Sequence, residues 1–148
     1  LQVRSISPTE LDQLLLLYRH LHPADEALPD EPVIRSIWNE LMANPRHTLF
    51  GGYMDSELVS SCALTVIPNL TRGCRPYGVL ENVVTHSAHR GKGYGKAVLR
   101  EALTSSWTAG CYKVMLLTGR KDKATVHFYE SAGFDGHEKL AFIAKPGL

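Results

Sequence analysis

Apolar positions along this chain fall at helix-turn spacing in some stretches and in short clustered runs in others, and the switches mark out its elements. Residues 2–6 read as a short edge strand. Ser7, Pro8 and Glu10 then form a helix-start signature: a hydroxyl cap, a proline at the first helical position and a carboxylate three residues on. Leu11, Leu14, Leu15 and Tyr18 follow at helical spacing, and a polar stretch over 20–29 breaks the run. A second amphipathic helix is predicted over 32–43. Its apolar face is Ile34, Ile37, Trp38, Leu41 and Met42, and Asn44-Pro45 stops it. Strands over 47–54 and 58–67 flank Asp55-Ser56 and predict a hairpin. A loop over 68–76, rich in Pro, Gly and Arg, leads to a third strand over 77–86. A glycine-rich stretch then opens a helix over 93–109, with Val98, Leu99, Ala102, Leu103 and Trp107 as its buried stripe. The continuous apolar run within 111–118 predicts a central strand covered on both faces. Asp122 caps a last helix over 124–132, Gly133 closes it, and a final strand is expected over 137–144.

This order predicts one α/β (α+β) domain over residues 1–148, with about four helices packed on a mixed central sheet. The length suits a single core, and 44% apolar residues can fill it. With 21% charged residues and a net charge of +1, the chain is too balanced for non-specific nucleic-acid binding and too apolar for disorder. Cys62, Cys74 and Cys111 are odd in number and form no C-x-x-C pair. Neither a disulfide framework nor a zinc site is expected, and reduced thiols imply a cytoplasmic setting. The histidines show no metal-ligand spacing, so no metal is expected. No apolar run reaches the roughly 18 residues a membrane span needs, so no membrane partner is expected.

The chemistry concentrates between Val83 and Lys96, where a strand feeds a glycine loop that opens a helix. Such a junction suits a phosphate: unpaired N–H groups and the helix dipole point at the anion, and glycines allow close backbone approach. Arg90, Lys92 and Lys96 add positive charge. Two common phosphate motifs do not fit. A Walker-type loop would need one more residue between Gly91 and Gly95, and Ser or Thr at Ala97. A dinucleotide fingerprint would need glycine at Lys96 and an acidic partner on a following strand.

What fits is R-x-x-G-x-G, carried by Arg90, Gly93 and Gly95 after the Val83-Val84 strand end. Here the sequence resembles the GNAT superfamily of N-acetyltransferases, whose pyrophosphate loop reads Q/R-x-x-G-x-G/A. Phe128-Tyr129 followed by Gly133-Phe134 resembles that family's helix-end motif, and Leu80-Glu81-Asn82-Val83-Val84 resembles its preceding strand. The resemblance implies a GNAT-like fold in which strand 77–86 carries a bulge and splays from strand 111–118. Acetyl-CoA is the implied co-substrate. Its pantetheine arm would pair with backbone at Val83, Val84 and Thr85, and its pyrophosphate would lie on Arg90, Gly91, Lys92, Gly93, Tyr94, Gly95 and Lys96. It also implies direct attack by a primary amine, with Glu81 as general base, through water, and Tyr129 as the acid that protonates the CoA sulfur. A strand glutamate also reads as a solvated group, and a helix tyrosine as a core-packing one. His86 and His89 flank the loop and could assist, or could be surface polar groups. Cys111 reads as a small buried apolar residue. Relatives carry Asn near Asp122 and Ala at Thr125, so Asp122 is expected to keep only its capping role.

The acceptor's walls are expected from the 20–31 loop, acidic through Asp25, Glu26, Asp30 and Glu31, and from the 68–76 loop, basic through Arg72 and Arg75. Together they would suit a zwitterion such as an amino acid or aminophosphonate; each also reads as a solvated loop. The reading is N-acetyl transfer from acetyl-CoA to a small-molecule amine. A protein or peptide amine, and a non-catalytic CoA-binding sensor or interaction module, stand as alternatives. Homodimerisation is common in the resembling family.

Overall fold

The computed structural model describes residues 1–147. They fall into two compact units, 1–116 and 117 onward.

In the first unit, β1 (Gln2–Ser5) runs into a tight turn at Pro8–Glu10 that opens α1 (Leu11–Tyr18). The helix-start signature works through Glu10. Its carboxylate accepts from the Ser7 N–H at 2.7 Å and from the Arg4 guanidinium at 2.8 and 3.0 Å. Burial of Leu11, Leu14 and Leu17 fixes which side of α1 faces the sheet. In α2 (Glu31–Ala43) only Trp38 is fully buried, and its indole N–H donates to the Pro8 carbonyl at 2.8 Å. Ile37, expected on the apolar face, is exposed.

The hairpin forms as expected from β2 (His47–Met54) and β3 (Glu57–Ile67). Asp55 and Ser56 both have positive φ, 47° and 70°, as a tight two-residue hairpin turn with primed geometry requires. The 68–76 loop contains one turn, α3 (Thr71–Cys74), with left-handed backbone at Arg72 and Gly73. After it, β4 (Tyr77–Thr85) pairs antiparallel with β3 on one side and parallel with β5 (Val114–Leu116) on the other. The sheet is mixed, in the order β1-β2-β3-β4-β5.

Between β4 and β5 lies α4 (Tyr94–Thr108). Its buried stripe is Gly95, Val98, Leu99, Ala102 and Ser106. Ser106 occupies the place expected of Trp107, which is half exposed. The Ser106 hydroxyl is satisfied in the core by donating to the Ala102 carbonyl at 2.8 Å. The run over 111–118 does not become a central strand: only three residues pair, at the sheet edge and half-buried.

The second unit holds α5 (Lys123–Ser131), capped at its start by Asp122, whose carboxylate accepts from the Thr125 N–H at 3.0 Å. This is the capping role expected of Asp122. Gly133 closes the helix at φ 101°. The strand expected over 137–144 is absent. Leu140, Phe142 and Ile143 are exposed there at 85%, 89% and 63%.

Candidate active site

The site is built on an irregularity in β4. The β3–β4 register pairs Ser61 with Val84 but Ala63 with Glu81. Cys62 therefore faces two residues, Asn82 and Val83, so β4 bulges outward there. Asn82 sits at φ 52°, a left-handed conformation that asparagine tolerates better than other non-glycine residues. On the other side, β4 pairs with β5 only from Gly78 to Leu80. From Glu81 to Thr85 no β5 residue pairs with it, and this unpaired edge begins at the bulge. An extended amide-bearing ligand can pair with such an edge as a strand would.

Two groups brace the bulge from behind. Tyr18, at the end of α1, has the Asn82 side chain as its polar neighbour, and burial pushes its hydroxyl up to about 12. Burial likewise pushes the Cys62 thiol up to about 12, so the cysteine under the bulge stays a neutral packing group. Cys111 is also buried and shifted upward. Ser60 steadies the next two residues: its hydroxyl donates to the Val84 carbonyl at 3.0 Å and lies 2.9 Å from the Thr85 hydroxyl. Glu81 is exposed beside the bulge; Val83 and Thr85 are half-buried and Val84 is buried.

The chain then turns through residues 86–93 into α4. Gly91 and Gly93 have φ of 76° and 81°, and no atom lies within 4 Å of where a Cβ on either would sit. Gly93 is the N-cap of α4, so the helix's first N–H groups, which no carbonyl within the helix can take, follow directly after it. Lys92 is exposed, Tyr94 and Lys96 are half-buried, and Gly95 is buried against the sheet. Arg90 acts first as a brace. Its Nε donates to the Thr85 carbonyl at 3.1 Å and its Nη2 to the His20 carbonyl at 2.9 Å.

The structure thus brings Glu81, Val83, Val84, Thr85 and the Arg90–Lys96 loop into one continuous stretch at the C-terminal end of β4. It does not bring Arg72 and Arg75 there. Their loop ends at Tyr77, the opposite end of a nine-residue strand, roughly 25 Å away. There Arg72, Arg75 and Lys113 stand within 5.3–5.7 Å of the Tyr112 ring. The loop after α1, by contrast, reaches the site end, with the His20 and His86 rings 3.9 Å apart.

Tyr129 lies in the second unit, half-buried on α5, with Phe128 and Phe134 edge-on at 4.9 and 6.2 Å. Its carbonyl accepts from the N–H groups of Ala132 and Phe134, which ties it to the helix end.

The model of the Acetyltransferase (GNAT) family matches residues 11–134. The chain belongs to this family. A proposed acetyltransferase from Agrobacterium tumefaciens str. C58 is 41% identical, with a TM-score of 0.90 over 98% of this chain and 100% of that one. Glucosamine 6-phosphate N-acetyltransferase of Trypanosoma brucei brucei is 40% identical over 83 residues, 56% of this chain and 54% of that protein. An aminoglycoside N-acetyltransferase solved with CoA shares the fold at a TM-score of 0.75 and 16% identity, covering 97% of this chain and 98% of that one. The chain spans about half the length of the curated relatives it matches.

For this GNAT chain, reading the sequence missed three residues at the site: Tyr18, His20 and Asn82. Asparagine is depleted in strands, so Asn82 between Glu81 and Val83 was a signal for an irregular strand. The partners of Tyr18 and His20, 64 and 66 residues further along, leave no local signal.

Proposed function

We propose that this chain is an acetyl-CoA-dependent N-acetyltransferase acting on the primary amine of a small molecule. The observation that carries this reading is the continuity of the unpaired β4 edge, from the bulge at Asn82, with the open glycine turn at Gly93. An extended thiol-bearing arm and a diphosphate find their places in sequence along one strand and one helix start.

Val83, Val84 and Thr85 hold the arm by backbone pairing. The Arg90–Lys96 loop holds the diphosphate through N–H groups, with Lys92 and Lys96 supplying charge. In the reaction, the amine nitrogen attacks the thioester carbonyl carbon; the new C–N bond forms as the C–S bond breaks. Glu81, through water, removes the ammonium proton, and Tyr129 supplies a proton to the departing thiolate. A backbone N–H near Val83 polarises the thioester carbonyl. The chain itself forms no covalent intermediate.

The relatives named for glucosamine 6-phosphate support a phosphorylated amino sugar as the first acceptor to test. The free thiols of Cys62, Cys74 and Cys111 support a reducing, cytoplasmic setting. The deciding experiment is thiol release from acetyl-CoA across a panel holding glucosamine 6-phosphate, glucosamine, amino acids, aminoglycosides and peptide amines. Amine-dependent release with a small molecule is expected. Tight acetyl-CoA binding without release on any amine would instead make the chain a binding module, and release with peptides alone would make it a peptide acetyltransferase.

A further inference from the structure

Two histidines hold the turn that leads into the proposed diphosphate loop by a contact available only to neutral imidazole. His86 caps the turn at Ser87–His89, and its Nδ1 accepts from the Ala88 N–H at 3.1 Å. His20, from the loop after α1, stacks on it with ring centroids 3.9 Å apart, and its Nδ1 accepts from the Ser87 N–H at 3.4 Å. A backbone N–H only donates, so each Nδ1 presents its lone pair and each ring carries its proton on Nε2. Protonating either ring places an N–H at Nδ1, facing another N–H, and protonating both would set two positive rings 3.9 Å apart.

The surroundings give such charge no relief. The groups facing the pair are His89 at 5.4 Å from His86, Arg90 on the same loop, bonded to the His20 carbonyl, and Tyr94 of α4, 6.0 Å from His89. None of these is a carboxylate. The loop is otherwise held by the His86 N–H on the Val59 carbonyl at 2.8 Å and by Arg90 on the Thr85 and His20 carbonyls. One of the two Arg90 anchors thus rests on the backbone of the residue whose ring stacks on His86.

We propose that His20 and His86, as neutral imidazoles, are positioning residues that hold the diphosphate loop in its binding shape and make coenzyme binding acid-sensitive. This rests on the reading of the Arg90–Lys96 loop as the diphosphate site. Burial first, then His86 and Arg90, hold His20 below the ordinary imidazole value of 6.5. The sign follows: the fold favours the neutral ring, so the brace is intact above that value and is lost as pH falls below it. A simple charge argument gives the opposite trend, since protonated rings would attract the anion more strongly.

The test is calorimetric titration of the full chain with 3′-dephospho-CoA, whose diphosphate keeps its charge through the imidazole range, and with CoA alongside. Variants are His86→Ala, His86→Asn and the double variant His20→Asn with His86→Asn. An asparagine Oδ1 can accept from the same N–H but does not titrate. Wild-type affinity is expected to fall roughly fivefold or more between about pH 7.5 and about pH 5.5. At the higher pH, His86→Ala should bind roughly fivefold or more weakly, whereas His86→Asn should stay within about twofold of wild type. The double variant should lose most of the acid sensitivity. Flat or rising wild-type affinity on acidification, or wild-type binding by His86→Ala, would overturn the inference while leaving the coenzyme site in place. No heat with either probe at any pH would remove the site itself, and the inference with it.

Discussion

At the scale of single residues, the two acids that shape the chain do different work. Glu10 is structural. The Arg4 hydrogen bond, with those of Ser7 and Tyr53, holds its carboxyl down to about 2, against the desolvation that opposes it. A carboxyl lowered by folding stabilises above its ordinary range, and that contribution is lost as pH falls from about 4.5 towards 2. Glu10→Gln should lower stability by on the order of 1 kcal/mol at neutral pH and flatten the acid limb of a denaturation profile. An unchanged acid limb would show that another carboxylate dominates it. Glu81 is the opposite case: it is exposed beside the bulge, and its proposed work is catalytic. If Tyr129 has the proposed role of proton donor to the leaving thiolate, Tyr129→Phe should lower turnover about 100-fold while acetyl-CoA affinity stays near wild type. Single-turnover thiol release would check this, and unaltered turnover would take Tyr129 out of the mechanism.

At the scale of elements, the β4 bulge is the decisive feature. Asn82→Gly should fold with little loss, because glycine adopts φ 52° freely, though it gives up the Tyr18 contact. Asn82→Val should cost about 1–2 kcal/mol through the left-handed backbone alone. Denaturant midpoints of the pair separate backbone from side chain; equal midpoints would mean that the bulge is not what strains this position. Local chemistry made several elements legible from sequence. The Ser7–Glu10 start, the Asp55-Ser56 turn, the Asp122 cap and the glycine loop are each settled within a few residues. Facing was harder to read. Trp107 fits the helical stripe of α4 as well as its neighbour does, yet Ser106 takes the core position because its hydroxyl can satisfy itself on Ala102. Ile37 matches the period of α2, but Trp38, tied to Pro8, sets which side turns inward.

At the scale of the whole molecule, what sequence could not supply is which distant parts meet. The apolar run at Val114–Leu116 looks like a central strand, and only the sheet order reveals it as a three-residue edge. A strand is expected over 137–144, and the structure forms none there. Only β4 reveals that the basic loop with Arg72 and Arg75 lies at the opposite end of the strand from the glycine loop. The glycine loop survives this loss of information because the function proposed for it needs only neighbours in sequence: a strand end, left-handed glycines and a helix start. No helix among the described residues is long and apolar enough to cross a membrane. The central claim is that the turn at Gly93 grips the diphosphate of coenzyme A. Its most direct test is calorimetry with CoA on the wild type and on Gly93→Val, with circular dichroism verifying that the variant folds. The open position beside Gly93 predicts binding by the wild type and at least about tenfold weaker binding by the folded variant. Equal affinity in the two proteins, or no heat with the wild type, would contradict it.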